Sequence, residues 1–204
     1  MNAQQIMDSE AFRKCVDFHG HICPGLSIGY KAAKVAMGKL EEGRAGDEEI
    51  VAIVETDACS ADAVQVLTGC TFGKGNFLYK DHGKMVLTLL SRKNGQGVRV
   101  AMRPGAFSPD EKHRALLQKV ISGDAGEAET KQFHDLHLQR SRDVLEMPDE
   151  DLFSVKTVQI KLPDKAKIEP SEPCARCGEP TMRTKLETVD GSRLCRGCIE
   201  QPMC

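Results

Sequence analysis

The chain has 204 residues, 40% of them apolar and 28% charged, enough for one medium domain and a small appendage. Thirty Asp and Glu against 28 Lys and Arg leave a net charge of -2, which removes any global electrostatic argument for nucleic acid. Aromatic residues make up only 4% and Trp is absent, so the core is expected to be aliphatic, and stacking platforms for single strands are argued against.

No apolar run approaches the roughly 18 residues needed to span a bilayer. The N-terminal stretch MNAQQIMDSEAFRKC lacks the charged-then-apolar layout of a signal peptide. The expected location is the cytoplasm, without a membrane partner. In that compartment nine cysteines point to metal ligation or reactive thiols rather than disulfides.

In chain order, residues 8–18 suit a short helix with Ser9 as N-cap. The run His19-Gly20-His21-Ile22-Cys23-Pro24-Gly25 follows. Pro24 fits a first helical position, and a helix is expected from Pro24 to Leu40, ended by Gly43 and Gly46. Its small residues Gly25, Gly29, Ala32, Ala33 and Ala36 would admit another backbone closely. Glu49–Thr56 reads as a buried strand and Ser60–Leu67 as a helix stopped by Gly69. Lys84–Leu90 and Val98–Met102 read as strands joined through a turn at Asn94-Gly95. Ser108-Pro109-Asp110-Glu111 has the form of a capping box for a helix to Ile121. A further helix spans Glu127–Glu146, and alternation around Val155–Ile160 gives a last strand before Pro163. Strands and helices mix without strict βαβ order, so the expected class is an α+β core. Residues 163–173, polar and Pro-rich, read as a linker, which gives a core of residues 1–165 and a module of residues 166–204.

That module carries Cys174-x-x-Cys177 and Cys195-x-x-Cys198. Two such turns supply the four-sulfur shell that Zn²⁺ takes in structural sites, as in a small zinc-ribbon or treble-clef-like unit. The interval from Met182 to Val189, then Asp190-Gly191, suits a strand and turn, and Gly178 and Gly197 suit left-handed positions beside the knuckles. So short a segment needs its metal to fold. A disulfide or redox pair and an iron site on the same sulfurs are the competing readings. Cys204 is read as free.

His19, His21 and Cys23 alternate within five residues ahead of a helix, three borderline-soft ligands for a transition metal. An extended segment would put them on one face. A helix N-terminus would also lower the thiol pKa of Cys23. Cys59 falls between a buried strand and the next helix; brought to His21 and Cys23, it would complete a partly open site. The competing reading has the histidines capping helices and Cys23 packing as a small hydrophobe. The loop Gly69-Cys70-Thr71-Phe72-Gly73-Lys74-Gly75-Asn76 departs from the GxxxxGK[ST] phosphate loop; it is either a tight structural loop near the site or an anion contact through Lys74, and Cys70 faces the same pocket in this reading. His134 and His137, three apart on a helix, are either exposed or chelating.

The run Phe18-His19-Gly20-His21-Ile22-Cys23-Pro24-Gly25-Leu26 with Gly29-Tyr30-Lys31-Ala32, and the stretches Asp57–Ala63 and Thr68–Asn76, resemble the FmdE family, named for formylmethanofuran dehydrogenase, over roughly residues 10–165. The resemblance implies an α+β core, in some members with an added C-terminal zinc finger, and closely intertwined homodimers. It implies a core metal site at His21, Cys23 and Cys59, with His19 as a further candidate, and a second transition metal there, expected to be Zn²⁺. The family name associates its members with a molybdenum or tungsten enzyme, but nothing in this chain would bind a pterin or an iron–sulfur cluster.

Two functions compete. One is a metal-binding accessory or regulatory protein whose zinc module contacts a protein or, more weakly, nucleic acid. The other is an enzyme acting on a small molecule through Cys59, Cys23 or a metal-bound hydroxide.

Overall fold

The computed structural model describes residues 1–108 and 110–201; the expectations for Pro109 and Cys204 lie outside the described residues. The chain separates into two compact units, Met1–Lys165 and Ala166–Cys204. Among the described residues no helix is long and apolar enough to cross a membrane.

The first unit runs α1 (Ala3–Met7), α2 (Glu10–His19), α3 (Pro24–Leu40), β1 (Ile50–Val54), α4 (Ser60–Thr68), β2 (Phe77–Tyr79), β3 (Val86–Ser91), β4 (Gln96–Met102), α5 (Glu111–Ser122), α6 (Glu127–Glu146), α7 (Asp149–Leu152) and β5 (Phe153–Gln159). Its strands form one sheet in the order β2-β1-β3-β4-β5. β2 joins β1 in parallel, and the other neighbours are antiparallel, with Ile53 opposite Thr88 and Thr88 opposite Arg99. This is the expected α+β class. The second unit holds two small hairpins, β6 (Ser171–Pro173) with β7 (Pro180–Met182) and β8 (Leu186–Val189) with β9 (Ser192–Cys195), then α8 (Arg196–Glu200).

Alternation along the strands sets the two sheet faces. Ile50, Ala52, Val54, Leu87, Leu89, Val98 and Val100 join the core shared with the helices. Val51, Ile53 and Leu90 point the other way and pack with Leu78, Val158 and Leu162. Leu162 belongs to the tail after β5, and Arg92 donates from Nη1 to the Pro163 carbonyl at 2.8 Å. The polar stretch read as a linker therefore starts as a bound strap, and its far end, Ser171–Pro173, is a strand.

Helix ends follow local chemistry with some departures. Ser9 caps α2 by accepting from the Phe12 N–H, and Gly69 ends α4 with φ +73°, both as expected. Helix α3 is closed by Glu41, itself left-handed at φ 55°, before Gly43 or Gly46 is reached. Asp110, not Ser108, caps α5 by accepting from the His113 N–H. Gly178 is left-handed at φ 76°, whereas Gly197 lies within helix α8. The predicted strand from Met182 is broken by a 3₁₀ turn over Arg183–Lys185.

The close approach expected of α3 is made to α4. A Cβ on Gly29 would stand 2.2 Å from the Ser60 carbonyl oxygen, so backbone touches backbone there. That crossing brings the start of α4 to the start of α3.

Candidate metal centres

In the second unit Cys174 and Cys198 are buried and Cys177 and Cys195 half-buried, with Leu186 and Leu194 the other buried apolar residues of a very small core. The four sulfurs lie within 4.8 Å of one another. Cys177 Sγ and Cys195 Sγ are 3.9 Å apart, close to the ~3.8 Å edge of a tetrahedron with metal–sulfur bonds of about 2.3 Å. The sulfurs also receive backbone N–H groups: Cys195 N donates to Cys174 Sγ at 3.3 Å and Cys198 N to Cys195 Sγ at 3.4 Å. Such donors hold the Cys174 thiol down to about 6, while burial and the three neighbouring sulfurs push Cys198 up to about 12. Four thiols this close can all ionise only around a cation, and the cluster fits a closed structural zinc or another thiophilic metal.

The core site is assembled by two helix ends. His19 is the last residue of α2, and Gly20 stops that helix in the left-handed region at φ +95°. The chain then turns to Cys23, which caps α3 by accepting the Leu26 N–H on its sulfur at 3.3 Å. The three side chains therefore meet around a helix stop, not along an extended strand as the alternation suggested. The ligand atoms of His19, His21 and Cys23 lie within 4.8 Å of one another, and the two imidazoles are 4.5 Å apart at their centroids. His19 Nε2 stands 3.7 Å from Cys23 Sγ, near the ~3.6 Å expected of nitrogen and sulfur on one tetrahedral metal. His21 is exposed, so the site opens to solvent on that side.

Cys59 lies beside this trio but outside the set whose atoms fall within 4.8 Å. It takes the N-cap position of α4 without using its side chain as a cap. Gly25 is the gap between the two thiols: a Cβ there would be 3.1 Å from Cys59 Cβ and 3.8 Å from Cys23 Sγ. Burial first, and the nearby Cys59 in addition, push the Cys23 thiol up to about 11. The lowered value expected from a helix N-terminus is overridden, because Cys23 is 2% exposed and desolvation outweighs the peptide dipoles. Cys23 is thus no free thiolate; a bound cation is what would deprotonate it.

Asp62, in the first turn of α4, was not singled out from sequence. Its Oδ2 lies 2.7 Å from His19 Nδ1. Glu55 directly follows β1, the strand that leads to Cys59. Burial opposes its charge, yet His82 Nδ1 and Arg99 Nη2, each 3.1 Å away, hold its carboxyl below the usual range. The turn into α4 therefore starts from a fixed point.

Other candidates fall elsewhere. Cys70 is fully buried and directs its thiol at the Ile50 carbonyl, at the opposite end of β1 from Cys59. The glycine-rich loop sits at that end too. Asn76, fully buried, donates to the Asp47 and Ile50 carbonyls, and Lys74 reaches Gly46 and Asp47, so the loop is structural. His134 is exposed, while His137 pairs across to His113 of α5, Nδ1 to Nε2 at 3.0 Å.

Residues 18–154 match the family described as FmdE, Molybdenum formylmethanofuran dehydrogenase operon. A "Probable S-adenosyl-L-methionine-binding protein" of Archaeoglobus fulgidus is 35% identical over 189 residues, 89% of this chain. The chain spans about half the length of that curated relative, 50% of it. An FmdE-like protein of the tungsten formylmethanofuran dehydrogenase type from Syntrophus aciditrophicus, solved by crystallography, superposes with a TM-score of 0.64 at 26% identity, covering 99% of this chain and 95% of that one.

Proposed function

This chain belongs to the FmdE family, and from that premise we propose that it is a metal-binding accessory or regulatory protein with two separate centres. The core centre takes a transition metal through His19, His21 and Cys23, with Cys59 as the neighbouring thiol. The second is a structural zinc on Cys174, Cys177, Cys195 and Cys198 whose surface meets a partner protein. One observation carries the reading: two sets of soft ligands, in two separate units, each gathered within 4.8 Å.

The residues have distinct work in this reading. Asp62 orients His19, Cys23 supplies the thiolate, and exposed His21 borders the side left open for water or a further ligand. When bound, the core metal would supply Lewis acidity. The same open side favours a second reading, metal-dependent chemistry on a small molecule. S-adenosylmethionine, named for the longer Archaeoglobus relative, is the first molecule to test by calorimetry.

Elemental analysis of the full chain tests the proposal. Two metal equivalents are expected in the wild type. Cys174→Ser with Cys198→Ser, and separately His21→Ala with Cys23→Ser, should each leave one. A reduced, folded chain that carries no metal ends it.

A further inference from the structure

Gly25 brings two thiols to one point. A Cβ placed on it would stand 3.8 Å from Cys23 Sγ, 3.7 Å from Cys59 Sγ and 3.1 Å from Cys59 Cβ. Both sulfurs thus border the same methyl-sized gap, and glycine leaves that gap empty. Cys23 caps α3 and Cys59 takes the N-cap position of α4, so the pair spans the starts of two helices. The backbone contact of Gly29 with Ser60 fixes how closely those helices lie.

The two thiols differ in access. Cys23 is 2% exposed, and its sulfur accepts the Leu26 N–H. Cys59 is half-buried, and its side chain makes no cap bond that rotation would break. The other cysteines of this unit, Cys15 and Cys70, are fully buried, and each directs its thiol at a carbonyl, that of Ala11 or of Ile50. Cys59 is therefore the core cysteine that a small oxidant meets first, with Cys23 beside it to resolve the product.

We propose that Cys23 and Cys59 are a reversible dithiol–disulfide pair, oxidised by hydroperoxides, whose oxidised form shuts the core centre to metal. The exclusion of metal rests on the metal reading of His19, His21 and Cys23. Cys59 sulfur attacks the outer oxygen of the hydroperoxide, the O–O bond breaks, and the thiol proton leaves with the other oxygen as water or an alcohol. Cys23 sulfur then attacks the Cys59 sulfenic acid; an S–S bond forms, the S–O bond breaks, and hydroxide departs with the Cys23 proton as water. The two thiols have lost two electrons and the peroxide bond has taken them. A dithiol reductant reverses the link by exchange and leaves as its own disulfide. Cys23 in a disulfide has no thiolate to offer a metal, and Cys23 on a metal has none to offer Cys59.

The full chain tests this after a chelator has stripped it and one equivalent of Zn²⁺ has refilled the four-sulfur cluster. With hydrogen peroxide, peptide mapping by fragmentation should find Cys23 joined to Cys59, and dithiothreitol should undo the link. The linked chain should take up no second metal equivalent, and loading that equivalent first should prevent the link. Gly25→Ala, whose methyl stands between the sulfurs, should lose most of the link, and Cys59→Ser should leave Cys23 reduced. No link, a link to Cys15 or Cys70 instead, or equal linking with the centre filled overturns the proposal and leaves the metal reading standing. Wild-type linking in Gly25→Ala, or oxidised Cys23 in Cys59→Ser, overturns it as well. A reduced chain that takes up no second equivalent removes the metal reading and the proposal together.

Discussion

Asp62 Oδ2 lies 2.7 Å from His19 Nδ1. An ionised carboxylate only accepts, so the imidazole donates from Nδ1 and its bare Nε2 faces Cys23 Sγ. A carboxylate behind a ligating histidine fixes ring and tautomer together, and losing such a partner typically costs 10–100-fold in metal affinity. Asp62→Ala should weaken core metal retention by about that factor in competition with a chelator. Asp62→Asn, which keeps an acceptor oxygen, should fall between. Wild-type retention in both would leave the contact without a role in binding.

The α3–α4 crossing predicts two different glycine phenotypes. Gly29→Ala drives a Cβ onto the Ser60 backbone and should destabilise the core by roughly 3 kcal/mol or more, seen as a lower melting temperature. Gly25→Ala meets Cys59 Cβ at 3.1 Å, a contact that a small shift of Cys59 relieves. It should melt nearly like the wild type while binding core metal more weakly. The reverse order of melting temperatures would contradict the geometry.

Acid should weaken the core through its buried imidazoles. Burial, and then His113, hold His137 down to about 4 against 6.5 for the free group, and His113 is lowered as well. Between those values the unfolded chain binds more protons than the folded one, so stability is complete above 6.5 and falls as pH drops toward 4. Melting curves of wild type and of a His113→Leu, His137→Leu double variant at several pH values read this. The variant should show the shallower slope, and parallel slopes would contradict the assignment.

Removing metal should divide the chain. Among its described residues the second unit has a buried apolar core of only Cys174, Leu186, Leu194 and Cys198, too little to replace the roughly 10 kcal/mol a structural zinc contributes in small modules. A strong chelator should therefore collapse the amide spectrum of residues 171–200 to unfolded positions. Amides of the sheet should keep their dispersion, since Val51, Leu89, Leu90 and Val100 are buried without help from any ligand. Loss of both sets together would show that the core also depends on its metal to stay folded.

Local chemistry made much of this legible. Pro24 announces the start of α3, Gly69 the end of α4, and paired CxxC turns announce a four-sulfur cluster wherever the chain places them. Contacts made across the sequence were not. Three-residue β2 pairs in parallel with β1 and carries no periodic pattern of its own. His134 and His137, three apart on a helix, left exposure and chelation both open; His134 is exposed, and the partner of His137 comes from α5. Asp62 left a faint signal, an acid three residues after Cys59 in a first helical turn, yet only the packing of α2 on α4 gives it His19. The pKa of Cys23 moves against expectation because sequence reveals a helix N-terminus and conceals how deeply it is buried.

The bare contact between Gly29 and Ser60 also bears on how the core centre tolerates change. Two main chains that already touch act as a mechanical stop, with no deformable side chain between them. The distance from Cys23 to Cys59 is then set by that stop and hardly by what fills the rest of the interior. Aliphatic residues along the sheet could drift in size over many generations while the gap between the two sulfurs stayed the same.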